Sequence, residues 1–429
     1  MTLRPPSNRL RGSNSGTIKQ HNRAIVLRAL LQQGALSRQT IARLTGLTPS
    51  TITNVVAQLS AAGLVEEVGE DESVYHAAGG RQPILVDVRA GGALALAVHV
   101  DYASVNVAVV NAKGGVEHME TTPISTGSSP EQVVLSVGEM VDKALHTVAR
   151  GRVVGLGIAT IGLVDPAAGA IEYVALHDWH DVPLATTLVA QFGLPVTIEN
   201  SARAMALAEH WYGVGRPLHD LIFIDVSAGI GSGIIIDGHV HRGATGIAGE
   251  IGHTVVAENG PRCACGKYGC LEALASTVAI VAKSCVGISP AQASLPHVID
   301  ATETALIATQ VLTAAANGDH DAVAIVREVT QPLAAAIANL VDVLDPQCVI
   351  IGGDVLAARD LVLDMIKQTV VARALVPTNA SVEIVPATLG PHIGVIGAAT
   401  LAFERYISVN DIVHERPCGA ATIPASRRG

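Results

Sequence analysis

The most specific chemistry in this sequence lies in four side chains. His253 is followed by Cys263, Cys265 and Cys270, at separations of ten, two and five residues. One imidazole and three thiolates form the ligand set of a closed, tetrahedral, structural zinc site. Three of the six cysteines crowd into eight residues. The chain starts basic and polar, without the apolar stretch of a secretion signal, so metal is expected rather than a disulfide, in a cytoplasmic protein. Zinc here is expected to pin the loop that presents Glu250 and Glu272, two carboxylates flanking the ligand run. They can serve a ligand directly or only orient the metal loop. Cys285, Cys348 and Cys418 lie outside the cluster and are read as inert.

A second set of residues suits a polyanion. Residues 1–65 hold Arg4, Arg9, Arg11, Lys19, Arg23, Arg28, Arg38 and Arg43 and no Asp or Glu. Of 28 basic residues, 20 then remain against 38 acidic ones, so the rest of the chain, at −18, repels DNA. This asymmetry points to an attached nucleic-acid reader.

The elements needed to position that reader follow from periodicity. Residues 1–18, rich in Pro, Ser, Asn, Gly and Arg, read as a disordered basic arm, and 19–90 as one module. Ile25, Ala29 and Leu30 mark a first helix ending near Gly34. Ser37 caps a second, with Ile41 and Leu44 as its buried stripe and Gly46 as its end. Thr48 and Pro49 open a third, whose Ile52, Val55, Val56 and Leu59 fall at i, i+3, i+4 and i+7 and leave a small polar face outward. Two helices joined by so short a turn make a helix-turn-helix. Strands at 64–68 and 84–88 add a wing with Gly79, Gly80 and Arg81 at its tip. Ser50, Thr51 and Asn54 are expected to meet base edges in the major groove, Arg23, Arg38 and Arg43 to meet phosphates, and Arg81 to enter the minor groove of a double-stranded operator.

Composition bounds the remainder. The 429 residues are 49% hydrophobic and 15% charged, enough for two or three packed units, and no apolar run reaches the roughly 18 residues of a membrane span. Strand runs at 95–100, 105–110, 116–122, 153–158, 196–199, 221–226 and 349–351 alternate with helical stretches. One helix opens at the capping sequence Ser129-Pro130-Glu131-Gln132 and is expected to reach Arg150. Asp237-Gly238 reads as a hairpin turn. The result is an α/β architecture of two lobes, followed by a weakly ordered tail at 408–429.

Glu250-Ile251-Gly252-His253 followed by Cys263-Ala264-Cys265-Gly266-Lys267-Tyr268-Gly269-Cys270-Leu271-Glu272 closely resembles the signature of the ROK family of repressors and sugar kinases. Further similarity lies in Asp178-Trp179, in 195–200, in Ala228-Gly229-Ile230-Gly231-Ser232-Gly233, in Ile350-Ile351-Gly352-Gly353 and in 394–399. It covers residues 94–407, and the N-terminal module is similar to that of the repressor branch. The resemblance implies an actin-like (ribonuclease H-like) two-lobed domain behind the winged helix-turn-helix, with a ligand between the lobes. The hexose-binding positions of the kinases match Asn200, Glu250, His253 and Glu272 here.

Phosphoryl transfer needs a carboxylate for the sugar hydroxyl and glycine turns for the phosphates. Where the related kinases have Asp after Asn, this chain has Ser201. Their first phosphate loop, Asp-x-Gly-Gly-Thr, reads Asp101-Tyr102-Ala103-Ser104-Val105, and the second begins Ser227-Ala228-Gly229. The expected protein is a transcriptional regulator, a repressor, sensing a sugar or sugar-derived effector in a catalytically dead cleft. A homodimer or dimer of dimers on an inverted repeat is expected, because one small module makes few base contacts. Two other readings are a DNA-binding sugar kinase and a repressor controlled by a partner protein.

Overall fold

The computed structural model describes residues 15–70, 82–125, 127–284, 301–375 and 382–409. α1 (Ser15–Gln33) buries Ala24, Val26, Leu27, Leu30 and Leu31. It takes the last four residues of the expected arm; the first fourteen lie outside the described residues. After β1 (Leu36–Ser37), the Ser37 hydroxyl accepts from the Thr40 N–H at 3.2 Å and opens α2 (Arg38–Thr45). Thr48 caps α3 (Pro49–Ala61) in the same way, and its four periodic apolar residues are buried as the spacing predicts. Leu44 corrects the expected stripe: it is 53% exposed. On a two-turn helix Ile41 is buried outright, and Ala42 and Leu47 pack beside it against the core. β2 (Val65–Glu70) and β3 (Ile84–Val88) complete a sheet ordered β1-β3-β2. The wing tip, with Gly79, Gly80 and Arg81, lies outside the described residues.

The first lobe contains β4 (Leu94–Val100), β5 (Ser104–Asn111), β6 (Val116–Pro123), α4 (Pro130–His146), β7 (Val153–Thr160), β8 (Leu163–Asp165), β9 (Ala170–Val174), β10 (Trp179–Val182), α5 (Leu184–Phe192), β11 (Val196–Asn200) and α6 (Ser201–Tyr212). α4 stops at His146 and does not reach Arg150: the Thr147 N–H and hydroxyl both bond to the Ala144 carbonyl, three residues back, in place of the i−4 helical partner. The second lobe contains β12 (Leu221–Val226), β13 (Ile230–Ile236), β14 (His239–Val240), α7 (Leu271–Ala275), α8 (Thr277–Ser284), α9 (Ala301–Ala316), α10 (His320–Leu344), β15 (Cys348–Gly352), α11 (Arg359–Arg373) and β16 (Glu383–Pro386). α12 (Ile393–Val409) returns to the first lobe and extends two residues into the expected tail.

Each lobe repeats one topology. An antiparallel meander, β4-β5-β6 or β12-β13-β14, is extended by two parallel strands, β7 and β11 or β15 and β16. The two orders, β11-β7-β4-β5-β6 and β14-β13-β12-β15-β16, therefore correspond strand for strand. Asp237 and Gly238 both adopt positive φ, as a type I′ hairpin requires, and join β13 to β14. β4 and β15 are buried along their whole length, which is why they read as continuous apolar runs. Among the described residues no helix is long and apolar enough to cross a membrane.

Candidate functional site

The loops between β14 and α7 bring the four expected metal ligands together. The ligand atoms of His253, Cys263, Cys265 and Cys270 all lie within 4.8 Å of one another. Cys263 Sγ is 3.6 Å from His253 Nδ1, and Cys265 Sγ is 3.7 Å from Cys270 Sγ. A tetrahedron with zinc–sulfur bonds of about 2.3 Å has edges of about 3.8 Å, so the spacing fits zinc. Burial pushes the Cys263 and Cys270 thiols up, an environment that a bound cation reverses by holding them as thiolates. The loop is also braced directly: Lys267 Nζ donates to the His253 carbonyl at 2.8 Å.

His253 and the other three expected effector residues, Asn200, Glu250 and Glu272, line one cleft of about 1910 Å³ between the lobes. Asn200 caps α6: its Oδ1 accepts from Ala202 and Arg203 N–H, and its Nδ2 donates to the Gly162 carbonyl. One amide N–H is left for a ligand. Glu272 Oε2 accepts from the Ile230 N–H at 3.1 Å, and Oε1 sits 3.7 Å from Cys263 Sγ, so this carboxylate serves both the glycine-rich turn and the metal loop. Burial raises the Glu250 carboxyl despite the nearby Arg203 guanidinium, 3.9 Å away. Ser201 Oγ is buried in the cleft wall with no hydrogen-bond partner among the described residues.

Two features escaped the sequence. Glu199, 1% exposed, binds Arg203 Nε at 2.7 Å and Arg242 Nε at 2.6 Å, while Arg203 Nη1 reaches the Ala248 carbonyl at 3.0 Å. These charges hold its carboxyl below the usual range against the opposing effect of burial. The spacing of Glu199 and Arg203, four residues apart, was the available signal, but nothing local says that both are buried. The second is Tyr102, which follows β4 and crosses to the opposite lobe. A Cβ at Gly229 would lie 1.8 Å from its hydroxyl, so any larger residue there would have to push the phenol aside.

On the reader, Ser50, Asn54 and Arg43 are exposed. Thr51 Oγ1 is held 2.9 Å from Thr48 Oγ1, and Arg38 pairs with Glu67 of the wing at 2.8 Å. Arg23 is half-buried on α1.

The reader is joined to the cleft through α6. This helix is buried from Ser201 to Trp211, spans about 18 Å, and starts at Asn200. At its far end His210 Nε2 meets Gln32 Nε2 at 3.4 Å, and burial lowers the imidazole pKa so that the neutral ring accepts from the amide. Just beyond, Arg216 donates to the last carbonyls of α1, Leu31 at 2.9 Å and Gln32 at 3.0 Å. Glu209, wholly buried, fixes this end by accepting from the backbone of Val214, Thr388 and Leu389.

Comparison with known proteins fits this architecture. The ROK family profile matches residues 95–405, and the MarR family profile matches residues 20–72. The xylose repressor of Caldicellulosiruptor bescii is 30% identical over 92% of this chain and 98% of its own. The crystal structure of a ROK transcriptional regulator, a homologue of the Escherichia coli Mlc protein, superposes with a TM-score of 0.73 at 26% identity, covering 92% of this chain and 98% of that one. A Streptomyces griseus ROK glucokinase, solved with glucose and AMPPNP, covers 72% of this chain and 99% of its own at 30% identity and a TM-score of 0.63. A MarR-like winged helix thus precedes a two-lobed domain with a His/Cys cluster beside its cleft, and the chain belongs to the ROK family.

Proposed function

We propose that the protein is a DNA-binding transcriptional repressor that senses a sugar or sugar-derived effector in the interlobe cleft. In this reading it works in the cytoplasm, at the nucleoid, as a homodimer or dimer of dimers on an inverted-repeat operator. Ser50, Thr51 and Asn54 read bases, Arg23, Arg38, Arg43 and Arg81 hold the DNA backbone and minor groove, and Arg38 exchanges Glu67 for phosphate on binding. Asn200, Glu250, His253 and Glu272 hold the effector.

The observation that carries this is α6, a single buried helix with Asn200 of the effector set at its start and the α1 contacts at its end. An effector that favours one lobe arrangement moves both ends of a rigid element, and only such differential affinity can alter DNA binding. His253, Cys263, Cys265 and Cys270 would hold zinc, which when bound supplies a structural cross-link. His253 then presents its remaining ring nitrogen to the cleft, with orientation fixed by the metal loop.

Phosphoryl transfer is absent in this reading. Among the described residues no carboxylate or imidazole accepts a proton from Ser201 Oγ, and a serine without a base is a poor proton acceptor itself. Selection of duplexes from a random pool, followed by anisotropy titration with and without sugars, tests the function. Sequence-specific binding modulated by a sugar is expected. Sequence-indifferent binding together with sugar-dependent ATP consumption would refute it.

A further inference from the structure

The chain crosses between the lobes twice, at residues 213–220 after α6 and at residues 387–392 before α12. Glu209, wholly buried in the last turn of α6, holds both crossings at one point. Its Oε1 accepts from the Thr388 N–H at 2.7 Å and the Leu389 N–H at 3.0 Å. Its Oε2 accepts from the Val214 N–H at 3.0 Å and the Thr388 hydroxyl at 2.9 Å. The Val214 N–H also reaches Thr388 Oγ1 at 3.1 Å, so the crossings touch each other directly. Gly213 packs against this group. A Cβ there would stand 1.8 Å from Glu209 Oε2 and 2.8 Å from Thr388 Oγ1, and would push the carboxylate off its donors.

A carboxylate is poorly placed here on general grounds, being out of water and beside the negative end of the helix dipole. Its four partners are three backbone N–H groups and a hydroxyl, none of them a cation. Such a charge is tolerated only while its hydrogen bonds are made. Sliding one crossing past the other breaks several of them at once. A small rotation keeps them, because all four converge on a single group. The arrangement therefore resists one class of lobe movement and permits another, as the pin of a hinge does.

The pin stands beside the reader. His210, the next residue, meets Gln32 of α1, and Arg216, within the first crossing, donates to the Leu31 and Gln32 carbonyls. A Cβ on Gly238, in the β13–β14 turn of the second lobe, would lie 3.7 Å from His210 Nε2, so the second lobe comes up to the α1 contact next to Glu209. The cleft lies at the opposite end of α6, at Asn200 and Ser201. We infer that Glu209 is a positioning residue for the regulatory response: the lobes turn about its carboxylate, and closure on a ligand at one end of α6 moves the second-lobe turn against the α1 contact at the other. This rests on the reading of the protein as a sugar-sensing repressor and names the joint through which the signal passes.

Three variants of the full-length protein test it: Glu209→Gln, Thr388→Val and Thr388→Ser. Glutamine has the shape of glutamate but one acceptor oxygen, so it can hold one crossing and not the other. Valine removes the hydroxyl that joins the crossings, and serine keeps it. Calorimetry with glucose, mannose and xylose gives sugar affinity, and anisotropy gives operator affinity with and without each sugar. Glu209→Gln and Thr388→Val should bind sugar within about threefold of the unaltered protein, yet lose about fivefold or more of the sugar's effect on operator affinity. Thr388→Ser should retain that effect. A carboxylate that merely stabilised the fold would lower the unfolding midpoint and leave the effect intact. An unchanged effect in Glu209→Gln, or in Thr388→Val where the first variant does not fold, overturns the pivot while sugar sensing stands. An equal loss in Thr388→Ser also overturns it. Operator affinity of the unaltered protein that none of the three sugars shifts refutes the sugar-sensing reading itself, and the pivot with it.

Discussion

The Glu199–Arg203–Arg242 group shows how single residues hold the cleft in place. Glu199 and Arg203 are almost wholly buried, so removing Arg203 leaves Glu199 balanced only by the partly exposed Arg242. Arg203→Leu should cost about 3 kcal/mol of the unfolding free energy of the two-lobed domain, and Glu199→Leu in the same chain should recover much of it. Calorimetric unfolding of the single and double variants measures both. Asp225 gives a pH signature of known sign. Burial, then the charges of Asp101 and Asp354, push its folded pKa up to about 7, against an ordinary 3.8, so the folded state holds the proton more tightly. That contribution is complete below the ordinary value and is lost as pH rises through about 7. Thermal stability should therefore decline from about pH 5 to about pH 8, and the decline should be shallower in Asp225→Asn. At this scale the clustering of His253, Cys263, Cys265 and Cys270 was legible, because the residue types and spacing that suit a metal are fixed together. Tyr102 and Asp225 were not, since their roles come from strands 120 residues apart in sequence that meet across the cleft.

Elements translate those residues into mechanism. α6 is buried on every face from Ser201 to Trp211, and that is why its apolar and small residues show little amphipathic pattern in the sequence. Its junction with α1 rests on charge-assisted hydrogen bonds from Arg216. Arg216→Ala should leave operator affinity within about threefold while shrinking the effect of sugar on that affinity by about fivefold or more, as titrations with and without sugar would show. The metal loop makes a separate prediction. Cys265→Ser, or treatment with a strong chelator, should lower zinc from about one per chain and abolish sugar binding, because Glu250, His253 and Glu272 lose their common support; elemental analysis and calorimetry check the pair. Caps and strand periodicity made most boundaries readable. The exceptions were physical: Leu44 is exposed because a two-turn helix needs little buried surface, and α4 ends early where the Thr147 N–H turns to the Ala144 carbonyl, three residues back.

For the whole molecule, a basic reader is fused to an acidic two-lobed body, so DNA is drawn to one end and repelled by the other. The hydrophobic core makes the fusion more than a tether. Residues of α1, α2 and α3 share one buried cluster with Trp211 of α6 and Phe403 and Ile407 of α12. In the function proposed above, a reader welded in this way would respond to lobe movement, whereas a loosely linked one would not. That continuity was invisible in the sequence, where the two modules read as independent units. The most direct test is operator affinity of the full-length protein, measured by anisotropy across a titration of the sugar that calorimetry identifies as bound. A shift of about fivefold or more, absent in a variant carrying Glu250→Gln and Glu272→Gln, is the predicted result. Saturating sugar that leaves operator affinity unchanged would contradict it.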